Sequence, residues 1–192
     1  MNDWIEVIGG NRWEFGSGNN ILNLTVPQLA KALSQINRFN GHTDAKYPYS
    51  VAQHSVVVSE ILDHKTHLAF AGLMHDAPEI IICDFPRPLK NYLGDNLLLL
   101  EVEEDTAFNA IAKAIKLPYW ELTDTDEKEL KAADIQAMVT EKRDMLNSNI
   151  TWGYWDDVLR LEKKISPVTA KKAAAMFCKR YKELEKRLAR AS

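Results

Sequence analysis

Residues 68–76 read Leu-Ala-Phe-Ala-Gly-Leu-Met-His-Asp, an apolar run that ends abruptly in two ionisable side chains. Leu68, Ala71 and His75 recur at the three- and four-residue spacing of one helix face. The pattern therefore predicts a helix whose buried face ends in an imidazole, with the Asp76 carboxylate beside it.

Similar helical periods lie on both sides of this run, and each predicted helix begins at residues typical of helix starts. These starts are Thr25-x-x-Gln28, Ser50-x-x-Gln53, Thr66, Pro78, Asp95, Asp124-x-x-Glu127 and Ser166-Pro167. Residues 4–8 and 12–15, joined by a Gly-Gly-Asn turn, match a short hairpin. We predict a single all-α domain, a compact bundle of about seven or eight helices. Residues 1–24 form an irregular N-terminal segment packed on a domain of residues 25–192.

Length and composition exclude several classes of protein. The 192 residues fit one domain, and 46% hydrophobic with 27% charged residues exclude general disorder. A net charge of −3 argues against a nucleic-acid coat or a polybasic membrane binder. No aliphatic stretch approaches the ~18–20 residues that cross a bilayer. Cys83 and Cys178 form no close-spaced motif, which favours a cytoplasmic protein. Together with the net charge and the short aliphatic stretches, this predicts no membrane partner and no stable nucleic-acid partner.

In two more predicted helices, a polar residue occupies a position where the helical period predicts a buried apolar side chain. His54 lies in the apolar stripe that follows Ser50, and Asp134 interrupts another stripe near Ala133 and Ala137. A buried, unpaired carboxylate costs several kcal/mol, so such residues need partners. Two imidazoles and two carboxylates from three helices satisfy one another around one divalent cation. Taken singly, His54 also fits a hydrogen-bonded core histidine, and Asp134 an ion-pair partner or a buried cap.

The order His54, His75-Asp76 and Asp134 resembles the H…HD…D signature of the HD-domain metal-dependent phosphohydrolases. Neighbouring segments resemble the 5′-deoxynucleotidase (YfbR-like) branch of that superfamily, which includes small phage-type enzymes acting on dATP. The matching segments are 50–55 ("xVAxHS"), 73–79 ("LLHDAxE"), 83–90 ("GDxPxPxK"), 132–134 ("xAD") and 36–39 ("NRW"). Phe39 stands where the last of these usually has tryptophan. The resemblance covers about residues 25–147.

The resemblance implies roles for particular residues. His54, His75, Asp76 and Asp134 would hold one divalent transition metal ion, which can be Zn, Mn, Co or Fe. Glu79 would orient or deprotonate the attacking water, and Asp84 would help to hold it. The candidate substrate contacts are Arg38, Phe39, His42 and Lys90.

Each of these residues also has an ordinary structural interpretation. Glu79 fits a solvated carboxylate in a first helical turn, Asp84 a turn residue, and Phe39 a core aromatic. Arg38 and Lys90 fit surface cations. Glu141 lies seven residues after Asp134, where it either supports the site from behind or pairs on the surface with Lys142 or Arg143.

The expected function is hydrolysis of 2′-deoxynucleotides, first of all of 5′-monophosphates by a 5′-deoxynucleotidase. The alternative is a phosphohydrolase or triphosphohydrolase acting on deoxynucleoside triphosphates, of the dATP type. Cyclic-nucleotide phosphodiesterase activity and non-catalytic nucleotide binding rank below both. A small deoxynucleotide is the expected substrate, and a homo-oligomer, dimer or higher, the expected assembly.

Overall fold

A computed structural model describes residues 3–118 and 121–191. In this part of the chain eight α-helices pack around the core, and the two strands pair in one small sheet, so the all-α prediction is confirmed. The helices are α1 (Val26–Leu33), α2 (Val51–Ile61), α3 (Thr66–Met74), α4 (Glu79–Ile82), α5 (Arg87–Leu93), α6 (Leu98–Ala114), α7 (Asp124–Met145) and α8 (Ala170–Ala191).

The N-terminal hairpin is confirmed and belongs to the main core. Strands β1 (Trp4–Val7) and β2 (Asn11–Glu14) pair antiparallel across a turn at two glycines of positive φ. Trp13 is fully buried in the cluster that holds α1, and its Nε1 donates to Glu103 Oε2 of α6 at 3.1 Å. A two-stranded hairpin alone is only marginally stable, so this packing stabilises it.

Helices α2 and α3 pack against each other at the centre, between α8 and α7. Gly72 of α3 allows their close approach. A Cβ at Gly72 would lie 3.2 Å from the Ser59 nitrogen, 3.2 Å from the Val58 carbonyl carbon and 3.0 Å from Leu62 Cδ1, all on or next to α2. The same packing brings His54 of α2 next to His75, with ring centroids 5.3 Å apart.

The predicted start of the last helix at Ser166-Pro167 is wrong, because α8 begins at Ala170. The Gln53 side chain explains the difference. It donates to the Ser166 carbonyl at 3.0 Å and accepts from the Val168 N–H at 3.0 Å. These two bonds hold residues 166–168 outside the helix and against α2.

Other helix starts agree more closely with the sequence patterns. Thr25 with Gln28 forms the predicted capping box, and Ser50 caps α2. Thr66 and Asp124 are first helical residues, each preceded by its cap residue. The helix predicted from Asp95 begins at Leu98, after a 3₁₀ turn over Gly94–Leu97.

None of the helices within residues 3–118 and 121–191 has both the length and the apolar character that crossing a membrane requires.

Gly72→Ala is expected to lower the free energy of unfolding by about 1–3 kcal/mol, because the added methyl group overpacks the α2–α3 contact. In an ordinary helix position, alanine is about 1 kcal/mol more favourable than glycine, so the sign is diagnostic. Denaturant unfolding measures it, with exposed Ala175→Gly on α8 as the control for helix propensity. An unchanged or increased stability of Gly72→Ala contradicts the close packing.

Candidate metal centre

Three segments around the central helix pair bring the predicted ligand residues together. His54 lies in the middle of α2, His75 and Asp76 directly follow α3, and Asp134 lies on α7. His54 Nε2 is 3.5 Å from Asp76 Oδ2 and 3.4 Å from Asp134 Oδ1, and His75 Nε2 is 3.1 Å from Asp76 Oδ1. His54 is fully buried and the other three side chains nearly so.

Both imidazoles are held by their Nδ1 atoms. His54 Nδ1 is 2.6 Å from Glu141 Oε1, and His75 Nδ1 is 2.9 Å from the Gly72 carbonyl oxygen. In contrast, the buried Nε2 atoms of both rings have no hydrogen-bond partner among the residues that the structure describes. Metal-bound histidines commonly donate one ring N–H to a carboxylate or carbonyl and coordinate through the other nitrogen. The two Nε2 atoms therefore have the orientation that a metal site requires.

The donor atoms fit a divalent cation. His54, His75 and Asp76 each offer one ligand atom, and these atoms all lie within 4.8 Å of one another. This group can bind a metal ion, and its two imidazole nitrogens and carboxylate oxygen suit several transition metals. Asp134 Oδ1 faces the same His54 nitrogen, while its Oδ2 accepts from Lys131 Nζ at 2.8 Å.

The electrostatics of the cluster favour a cation. Burial is the largest influence on His54 and lowers its pKa, as does Arg38, but Glu141 and Asp134 outweigh them and raise it to about 9. Burial raises the pKa of Asp76, but His75, His54 and Arg38 hold it well below its usual range. The protonated His54 ring thus carries a positive charge at the place where a bound metal ion would supply one.

Glu79 and Asp84 extend the cluster on one side. A turn separates His75 from Glu79, because α3 ends at Met74 and α4 begins at Glu79, next to the helix start predicted at Pro78. Glu79 is nevertheless buried, and within residues 3–118 and 121–191 its Oε2 has no hydrogen-bond partner. Burial, followed by the charges of Asp76 and Asp84, raises the pKa of Glu79 well above its usual range. The solvated alternative for Glu79 is therefore wrong.

Arg38 reaches the cluster because its backbone pairs with the segment before α2. Its N–H donates to the Tyr49 carbonyl at 2.8 Å. Its NH1 lies 3.5 Å from Asp84 Oδ1 and 3.9 Å from Asp76 Oδ2, and its NH2 3.8 Å from Glu141 Oε2. These are ion-pair distances rather than hydrogen bonds, and the buried Nε has no hydrogen-bond partner in the described part of the chain. The guanidinium is thus held in place by ion pairs with three carboxylates.

Phe39 lies beside this guanidinium, and its ring centroid is 5.9 Å from the Arg38 Cζ atom. Its backbone has a positive φ of 55°, and the ring is 6.3 Å from that of Trp152. Phe39 and Trp152 therefore form an aromatic wall at the edge of the cluster.

Two predicted substrate contacts lie further out. His42 is exposed, and among the described residues no hydrogen bond or ion pair joins its side chain to the cluster. Lys90 pairs with Glu104 at 3.3 Å, although its charge still acts on Glu79.

The sequence interpretation missed other residues at the site. Tyr49 donates to Glu141 at 2.9 Å, and Arg87 NH2 lies 3.9 Å from Asp134 Oδ2. The sequence left two roles open for Glu141, support of the site from behind or an ion pair on the surface. The Glu141 side chain is in fact fully buried. Its seven-residue spacing from Asp134 was the available signal, whereas Tyr49 carried none.

Known proteins that are similar in sequence to this chain have names that state no activity. The uncharacterized protein YfdR of Escherichia coli is 32% identical over 163 residues, which is 84% of this chain and 84% of that protein. An uncharacterized protein of Rhodobacter capsulatus is 29% identical over 103 residues, 51% of this chain and 52% of its own length. No protein-family model matches the chain.

His75→Ala and Asp134→Ala are each expected to abolish retention of a metal ion, because each removes a donor next to His54. Elemental analysis after dialysis measures retention, and circular dichroism should show unchanged helical content. Exposed His42→Ala is the matched control and should retain about one equivalent per chain, as the wild type does. Retention by both cluster variants would contradict the site.

Cys83→Gly is expected to stabilise the protein by about 1 kcal/mol, since Cys83 has φ 67° and ψ 167°, a conformation that essentially only glycine adopts. Thermal unfolding measures the change. Cys178→Gly, inside α8, should instead destabilise, because glycine is unfavourable in a helix. A loss of stability in both variants would argue against strain at Cys83.

Proposed function

The chain belongs to the same family as YfdR of Escherichia coli, and we propose that it is a metal-dependent phosphohydrolase of the HD-domain superfamily acting on 2′-deoxynucleotides. One observation supports this proposal above all. The Nε2 atoms of the two histidines have no hydrogen-bond partner among the described residues, and they lie next to the Asp76 and Asp134 carboxylates. His54, His75, Asp76 and Asp134 would hold the cation, which is Zn, Mn, Co or Fe. A bound cation would lower the pKa of water and offset negative charge on a phosphoryl group.

In this proposal, Glu79 is the residue that accepts or donates the proton during hydrolysis. Its buried Oε2 has no partner, so it can take a proton from the attacking water or give one to the leaving oxygen. The raised pKa of Glu79 favours this exchange, because the carboxyl group then holds a proton more readily than an ordinary glutamate. Asp84, 3.5 Å from the Arg38 guanidinium, would orient the water from the other side.

Arg38 and Phe39 would bind the substrate. The free donors of Arg38 match the oxygens of a phosphate group, which guanidinium binds bidentately. The Phe39 ring lies next to that guanidinium and has the size and position to pack on the sugar or base. In a 5′-deoxynucleotide the first phosphate is esterified directly to the sugar, which suits such a neighbouring pair.

A triphosphate substrate is the second candidate, and two cations favour it. Arg87 NH2 lies 3.9 Å and Lys131 Nζ 2.8 Å from Asp134 Oδ2, and both side chains are about half exposed. They stand at the rim of the cluster, where further phosphates of a longer chain would extend. The nucleotide that is hydrolysed separates the candidates, together with its product: a monophosphate yields phosphate, whereas a triphosphate yields triphosphate, pyrophosphate or successive phosphates.

Glu79→Gln is expected to lower kcat by about 10²–10⁴-fold, because it removes the proton acceptor, while metal content stays unchanged. The assay measures product release from deoxynucleoside mono- and triphosphates with Mn²⁺, Co²⁺ or Zn²⁺. Glu60→Gln, an exposed glutamate on α2, is the control and should keep full activity. If the wild type hydrolyses no nucleotide with any of these metals, the proposed function is wrong.

A further inference from the structure

Glu141 is a fully buried carboxylate that makes close contacts with three functional groups. Its Oε1 lies 2.6 Å from His54 Nδ1 and accepts from the Tyr49 hydroxyl at 2.9 Å. Its Oε2 lies 3.8 Å from Arg38 NH2 and has no hydrogen-bond donor. Burying a carboxylate is costly unless it is paired, so these contacts account for its presence in the core.

The contact with His54 decides which ring nitrogen faces the ligand cluster. A carboxylate oxygen at 2.6 Å accepts a hydrogen bond from Nδ1–H, so Nε2 is the nitrogen that faces Asp76 and Asp134 and whose lone pair a bound metal ion would take up. The Tyr49 hydroxyl donates to the same Glu141 oxygen at 2.9 Å, so it holds the carboxylate in place from a second direction.

One helix holds both sides of the ring. Asp134 and Glu141 lie seven residues apart on α7, two turns along the same face. Asp134 Oδ1 is 3.4 Å from Nε2, and Glu141 Oε1 is 2.6 Å from Nδ1. The imidazole is therefore fixed relative to α7 even though it belongs to α2.

The second oxygen of Glu141 acts on Arg38. At 3.8 Å it attracts the guanidinium without forming a hydrogen bond to it, so the donors of Arg38 stay available. The same carboxylate thus holds the residue expected to coordinate metal and the residue expected to bind phosphate.

We propose that Glu141 is a positioning residue, which fixes His54 with Nε2 toward the metal and holds the Arg38 guanidinium beside the cluster. This inference rests on the metal site of the proposed function, but not on its substrate. Carboxylates behind metal-bound histidines typically contribute 10–100-fold to metal affinity.

The test measures Zn²⁺ affinity of the full-length protein by competition with a chromophoric chelator. Glu141→Gln should weaken binding about 10–100-fold, because an amide is a poorer acceptor for the His54 N–H. Tyr49→Phe is the matched control, since it removes the other hydrogen bond to the same oxygen and leaves the histidine contact intact. It should stay within about threefold of the wild type.

Nuclear magnetic resonance supplies a readout that a merely structural role would not change. In the Zn²⁺-loaded wild type, the His54 Nδ1–H bonded to Glu141 should give a low-field proton resonance. The resonance should persist in Tyr49→Phe and shift upfield or disappear in Glu141→Gln, while circular dichroism stays unchanged.

The outcomes separate the two proposals. If the wild type binds no Zn²⁺ or other divalent metal, the metal site itself is wrong. If the wild type binds and Glu141→Gln binds as tightly with the same proton resonance, only the positioning role of Glu141 is overturned. If Tyr49→Phe loses as much affinity as Glu141→Gln, general disturbance of the core explains the loss and the specific role is likewise overturned.

Discussion

A fully buried imidazole at the centre of α2 imposes the main constraint on this structure. His54 has no access to solvent, so both of its ring nitrogens depend on groups supplied by the protein. Glu141 satisfies one nitrogen, and the carboxylates of Asp76 and Asp134 face the other. The turn after α3 and the face of α7 must therefore both reach the same point on α2.

The packing of the central helices makes this convergence possible. Gly72 lets α3 approach α2 closely, and the same residue's carbonyl oxygen accepts from His75 Nδ1. One small residue thus sets the distance between the helices and the orientation of the second imidazole. Gln53, next to His54 in the first turn of α2, holds the segment before α8, so this end of the helix is also fixed to a distant part of the chain.

The sequence predicted the helices, and it identified the polar residues that converge around His54, because both leave local patterns. Cap residues such as Thr25 and Ser50 act within one turn, and a polar residue on an apolar stripe is visible in the sequence. The start of α8 was predicted three residues too early because Gln53, more than a hundred residues away, competes for that backbone. Tyr49 and Arg87 were missed for the same reason, since their partners on α7 are distant in sequence. Glu141 shared the spacing of Asp134, but spacing alone does not separate a buried carboxylate from an exposed one.

We expect the His54–His75–Asp76 cluster, with Asp134, to bind a divalent metal ion. A crystal structure of the cobalt-loaded protein, with anomalous diffraction measured at the cobalt edge, would reveal such binding. One strong anomalous peak should lie in contact with the Nε2 atoms of both histidines and with the two aspartates. A peak elsewhere, coordination through a Nδ1 atom, or no peak in cobalt-saturated crystals would contradict this expectation.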